Sequence, residues 1–195
     1  MNSGGRMRLF VAVTLPDPVR EAVSQMIREL SGRLETVRWT KAENIHLTLK
    51  FLGGVEADRI PPVRDCLDRM AEAQLPFTVV PEGLGVFPPR GKPRVIWAGV
   101  EEGRGRLTAL AEDLDRGLSE LGFPRETRRY TPHLTLGRIK NTRSGSGLRK
   151  ITREIEKRGA DSLGAFNVDM IVLMESTLTP RGAIHRVVSR HGAKN

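Results

Sequence analysis

Apolar residues along this chain fall into two kinds of pattern, and each kind is written twice. Arg8-Leu-Phe-Val-Ala-Val-Thr-Leu15 is a short continuous apolar run that ends at Pro16-Asp17-Pro18, which reads as a buried strand. The period then changes. Val19, Val23, Met26, Ile27 and Leu30 recur three and four apart, predicting a helix over about 17–34 that the Pro-Asp-Pro turn starts. The second half opens the same way, with a strand at Arg94–Val100. Leu107, Leu110, Leu114, Leu118 and Leu121 then predict a helix over about 104–121 that Gly122 ends.

After each of these pairs comes His-Leu-Thr-Leu, at residues 46–49 and 133–136, with the histidines 87 positions apart (133 − 46). A further helix candidate follows each, over about 59–73 and 148–158, and then a strand beginning at Phe77 or Phe166. Strand, helix, motif strand, helix, strand: the order is an approximate duplication, with repeats over about 8–87 and 94–175. That period is too long for a solenoid, so two related lobes facing each other are expected within one domain. Ala183–Arg190 is a further strand without a first-half counterpart, and Pro88-Pro89-Arg90-Gly91-Lys92-Pro93 is the best linker candidate. Residues 1–6 and 191–195 read as loose tails, with His191 near a fraying end.

Composition narrows the class. The 195 residues include 38% hydrophobic and 28% charged positions, as in a soluble globular chain. Thirty-two Lys plus Arg against 23 Asp plus Glu leave a net charge of +9, which favours anionic partners, nucleic acid first. Arg90, Lys92 and Arg94 form one basic cluster, Arg125, Arg128 and Arg129 a second, and Arg143, Arg149 and Lys150 a third; together they suit a track for an RNA backbone. Cys66 is the only cysteine, so neither an intrachain disulfide nor a cysteine zinc site is available, as suits a reducing cytoplasm. No apolar run reaches the ~18 residues of a membrane span. The Leu9–Leu15 run is also too short for a signal peptide.

On a strand, residues i and i+2 share a face. His46 and Thr48 therefore point one way while Leu47 and Leu49 point into a core, and His133 and Thr135 repeat the arrangement. Inward leucines satisfy the structure; nothing structural demands histidine and threonine at both outward positions. Two imidazoles across a cleft suit acid–base chemistry on phosphorus near neutral pH, one taking a proton and the other giving one. The threonine hydroxyls can donate to the non-bridging oxygens, where charge builds up. A metal is the weaker use, because there is no His-x-x-x-His and Glu43 is the one carboxylate within a few residues of either histidine.

The segments "MRLFVAVTLPD", "RWTKAENIHLTLKFLG", "YTPHLTLGRIK" and "LMESTLTPRGAIHRV" closely resemble the RNA 2′,3′-cyclic phosphodiesterases (2′-5′ RNA ligase-like proteins) of the two-histidine phosphoesterase superfamily, over about residues 7–190. The resemblance implies an α+β, bilobal fold, each lobe an antiparallel sheet with outer helices, and a site between the lobes with no metal and no cofactor. It implies hydrolysis of a terminal 2′,3′-cyclic phosphate, on RNA ends or nucleotides, to a 2′-phosphate; the protein is expected to be cytoplasmic and a monomer. In that chemistry His46 is the general acid for the leaving 3′ oxygen and His133 the general base for water, while Thr48 and Thr135 hold the phosphate. Arg138 matches a phosphate contact and Phe51 a base contact. Each lies five residues past its histidine, so strict alternation aims it away from the cleft unless the strand is re-aimed near Lys50 or Gly137. Tyr130 is a further candidate to line the cleft beside the base. Trp39 reads as core, and His185, where the family usually carries an aromatic, as a strand residue rather than a third catalyst. The same histidines serve the reverse, ligating direction, and a nucleotide- or RNA-binding module without chemistry is the alternative of another class.

Overall fold

The computed structural model describes residues 6–140, 145–180 and 182–193. In chain order the elements are β1 (Met7–Thr14), α1 (Asp17–Ser31), β2 (Val37–Trp39), β3 (His46–Val55), α2 (Ile60–Gln74), β4 (Phe77–Val79), β5 (Pro81–Phe87), β6 (Val95–Val100), α3 (Arg104–Glu120), β7 (Leu134–Ile139), α4 (Gly145–Lys157), β8 (Phe166–Val168), β9 (Met170–Thr179) and β10 (Gly182–Gly192). The apolar stripes form these helices as the spacing requires: Val19, Val23, Met26 and Leu30 are buried on α1, and Leu107, Leu110, Leu114 and Leu118 on α3. Each fully buried leucine contributes about 1.5–3 kcal/mol by leaving water.

The sheet order is β10-β9-β1-β3-β7-β6-β5, all antiparallel, with β2 also paired to β7. Its two halves meet at a single residue pair, Leu47 of β3 opposite Leu134 of β7. One lobe therefore holds β10, β9, β1 and β3, and the other holds β7, β6, β5 and β2. These lobes are not the sequence repeats. Strand β5, from the first repeat, pairs with β6 of the second, while β9, from the second, pairs with β1 of the first. Helices cross over too: α3 packs with α2 behind β3, while α1 packs behind β2. The short strands β4 and β8, which occupy corresponding places in the two repeats, pair with each other, Thr78 opposite Asn167. Equivalent segments meeting each other at β4–β8 and at Leu47–Leu134 mark a pseudo-two-fold axis through the joint. Most buried apolar side chains merge into one core across both lobes, and a smaller cluster of Phe10, Ala12, Val172 and Met174 lies on the opposite sheet face.

Two sequence expectations are corrected by this connectivity. Residues 88–93 are a hairpin loop between the paired strands β5 and β6, with Phe87 opposite Val95, and not an interlobe linker. Proline and glycine mark a tight reversal as readily as a boundary. The C-terminal region is also no loose tail through His191, because β10 runs to Gly192 along β9. His191 is 3% exposed, its Nδ1 donating to Asp68 of α2 at 2.6 Å and its Nε2 bonded to the Ser189 hydroxyl at 2.8 Å. Residues 1–5 and 194–195 of the expected tails, and Arg143, lie outside the described residues.

Candidate active site

The crossing at Leu47–Leu134 assembles the site. Both leucines are fully buried on one face, so their sequence neighbours project from the other. Carried one step either way, the antiparallel register sets His46 beside Thr135 and Thr48 beside His133 before the lobes splay apart. His46, Thr48 and Thr135 line one open cleft of about 940 Å³ between the lobes.

Both imidazoles are oriented by the same local device. His46 Nδ1 lies 2.9 Å from the Asn44 carbonyl, and His133 Nδ1 lies 2.6 Å from the Thr131 carbonyl. A carbonyl only accepts, so Nδ1 carries the proton and the neutral ring is left with a free lone pair on Nε2. Burial drives His46 down to about 4; the charges of His185 and His133 add to this, and the Asn44 carbonyl opposes it. Burial also lowers His133, against the Thr131 carbonyl. Both rings are therefore neutral at pH 7 in the unliganded protein.

Phe51 and Arg138 line the same cleft, and the reason is a pair of β-bulges. Thr48 pairs with Ala12 and Lys50 with Val11, which leaves Leu49 as an extra residue in β3. In β7, Thr135 pairs with Trp97 and Gly137 with Ile96, leaving Leu136 extra. Leu49 and Lys50 both turn inward as a result, as do Leu136 and Gly137, and the next residue on each strand is thrown outward. Phe51 is consequently 64% exposed. The two inward positions are filled differently. A Cβ at Gly137 would stand 2.6 Å from Val37 Cγ1, whereas Lys50 is buried and reaches Asp115 of α3 and the Pro124 carbonyl, both at 2.6 Å. Burial raises the Asp115 carboxyl, but Lys50, the Glu126 amide and Arg125 outweigh it and hold the group ionised.

Tyr130 is partly buried and packs against the core. Its hydroxyl donates to the Thr48 carbonyl at 2.9 Å, tying the segment before His133 to β3, and burial raises its pKa. Trp39 packs against the core as read from the sequence and also borders the cleft. His185 is a strand residue of β10, yet its ring stands edge-on to His46 with centroids 5.1 Å apart. Sequence reading also missed the rings that cushion the histidines: Phe10 beside His46 at 4.9 Å, Phe87 beside His133 at 5.0 Å and Trp97 beside His133 at 6.3 Å. Their apolar character resembles any core position, so no local signal separates them. Asn44 holds β10 to this wall, its side-chain amide donating to the Ala183 carbonyl at 3.1 Å.

The family model described as "LigT like Phosphoesterase" matches residues 13–97 and again 99–185, once in each half of the chain. The chain belongs to the LigT-like phosphoesterase family. A relative from Archaeoglobus fulgidus, named RNA 2′,3′-cyclic phosphodiesterase, is 38% identical over 181 residues, 92% of this chain and 97% of its own. One of the same name from Methanocaldococcus jannaschii is 33% identical over 93% of this chain and 98% of its own. Among solved structures, a Thermus thermophilus protein superposes with a TM-score of 0.77 at 28% identity, covering 95% of this chain and 97% of that one. Escherichia coli LigT, crystallised with 3′-AMP, shares the fold with a TM-score of 0.77 at 24% identity, over 97% of this chain and 99% of its own. Within the LigT-like family, then, this chain is an α+β, two-lobed member. No helix among its described residues is long and apolar enough to cross a membrane.

Proposed function

We propose that this LigT-like phosphoesterase hydrolyses the 2′,3′-cyclic phosphate at the end of an RNA to a 2′-phosphate, without a metal. The observation that carries the reading is the Leu47–Leu134 crossing, which brings the two His-x-Thr strands together, with His46, Thr48 and Thr135 lining the cleft and His133 near enough for its charge to lower His46. The relatives named RNA 2′,3′-cyclic phosphodiesterase, matched along nearly their whole length, support the same reaction. In this reading His133 Nε2 takes a proton from water as its oxygen bonds to phosphorus. The bond from phosphorus to the 3′ oxygen breaks, and His46 Nε2 gives that oxygen its proton. Thr48, Thr135 and Arg138 donate to the non-bridging oxygens as negative charge gathers there. Phe51 supplies an exposed face for the terminal base, while Tyr130 fixes the Thr48 backbone and leaves base contact to Phe51.

The acid role sets a condition. His46 sits at about 4 in the unliganded site and must be protonated to act. An anionic phosphate placed between the rings favours the imidazolium, so substrate binding itself loads the acid. Incubating the purified protein with an RNA oligomer ending in a 2′,3′-cyclic phosphate, in excess chelator, tests the proposal. The product should carry a 2′-phosphate. A 3′-phosphate would reverse the assignment of the leaving oxygen, and abolition by chelator would overturn the metal-free mechanism.

A further inference from the structure

Arg38 of β2 lies directly opposite Arg138 of β7 in the antiparallel register. Like charges directly opposite on a sheet repel at a Cβ separation of about 4.5–5.5 Å. Neither guanidinium makes an ion pair or hydrogen bond among the described residues, and both line the cleft. Some surface arginines are paired, Arg28 with Glu21, Arg104 with Glu101 and Arg186 with Glu175, whereas Arg8, which also lines the cleft, has no partner among the described residues. Strand β2 occupies the edge of β7 just past the point where β3 leaves it, so Arg38 stands in the wedge between the lobes. Its Nη2 reaches Gly182 at the start of β10, where a Cβ would be 3.6 Å away. Two unpaired arginines that start from facing positions on neighbouring strands suit the oxygens of successive phosphates.

We propose that Arg38 forms a second anionic subsite, which holds the phosphodiester on the 5′ side of the terminal nucleotide while Arg138 serves the cyclic phosphate. The protein then selects the ends of oligonucleotides over cyclic mononucleotides. This assignment rests on reading the cleft as a cyclic phosphodiesterase site. It adds a cation outside the three basic clusters visible in the sequence.

The test compares two dinucleotides ending in a 2′,3′-cyclic phosphate, one with a natural internal phosphodiester and one with an uncharged methylphosphonate in its place. In the unaltered protein KM should be lower for the charged linkage by about tenfold, the scale of a charge-assisted hydrogen bond. Arg38→Gln should bring that ratio close to one, whatever the absolute rate, and Arg38→Lys should retain part of it. A ratio near one in the unaltered protein, or a full ratio surviving in Arg38→Gln, would overturn the subsite. Equilibrium binding of the two corresponding dinucleotide 2′-phosphates reads the same ratio without turnover. If neither substrate is hydrolysed but the charged 2′-phosphate still binds more tightly through Arg38, the catalytic reading fails while the subsite stands.

Discussion

The His46 wall and the His133 wall of the cleft are built to one plan and finished differently. Each imidazole gives Nδ1–H to the carbonyl two residues before it, and each motif strand bulges at the leucine after its threonine. The finishing differs at a handful of positions. Thr48 pairs with Ala12, but Thr135 pairs with Trp97, whose ring lies over Gly85, where a Cβ would be 2.1 Å from Cζ2. Behind the bulge stands a buried lysine on one side and a glycine on the other. Past the bulge stands Phe51 on one side and Arg138 on the other. The His46 wall alone gains β10, which brings His185 against its imidazole. A symmetric frame repeats the imidazole and hydroxyl on each strand; under the proposed function, the asymmetric finish is what can give the two imidazoles opposite roles.

The largest expected effect breaks the plan itself. His46→Ala and His133→Ala should each lower turnover by about 10²–10⁴-fold while product still binds. A substrate whose leaving group needs no proton should rescue His46→Ala and not His133→Ala. Rescue of the other variant would exchange the roles, and no loss in either would remove both from catalysis.

The buried lysine comes next. Asp115→Ala leaves Lys50, 2% exposed, without its carboxylate and should cost about 3–5 kcal/mol in urea unfolding. A loss below about 1 kcal/mol would mean that water reaches the ammonium. Position 137 makes the contrast, since there the clash with Val37 forbids any side chain.

Acid should expose the difference between the histidines. The unfolded chain takes up a proton near the ordinary histidine value of 6.5, whereas folded His46 refuses it down to about 4. Protons then favour the unfolded state, so stability is lost as pH falls through that window, by about 3 kcal/mol in all from His46. It is unaffected by this group above the window. His46→Phe should flatten that slope in unfolding measurements at a series of pH values. His185→Phe should raise the His46 titration seen by NMR, because a neighbouring charge is removed while an aromatic edge is kept. An unchanged titration would leave burial, with His133, as the cause.

Phe51→Ala is the mildest of these changes. It should weaken binding of a nucleoside 2′-phosphate by about 1–3 kcal/mol, the scale of one stacked base, and leave a base-free ribose phosphate unaffected. Equal weakening of both would show that Phe51 shapes the wall rather than meeting the base.

The sequence by itself determined the repeated order of elements and the alternation that sets His46 and Thr48, and His133 and Thr135, on one face of each strand. Those follow from periodicity, which is local. The order of strands in the sheet was decided elsewhere. Exchange of β5 and β9 between the repeats depends on which apolar edges meet in three dimensions, and hairpin and linker look alike in Pro88–Pro93. The aim of Phe51 and Arg138 was settled by two extra leucines that no spacing announces, since a bulge exists only relative to a partner strand. His185, Phe10, Trp97 and the facing pair of Arg38 and Arg138 entered the cleft for the same reason. Each lies far along the chain from what it touches, so its meaning was fixed by packing and register and not by its neighbours in sequence.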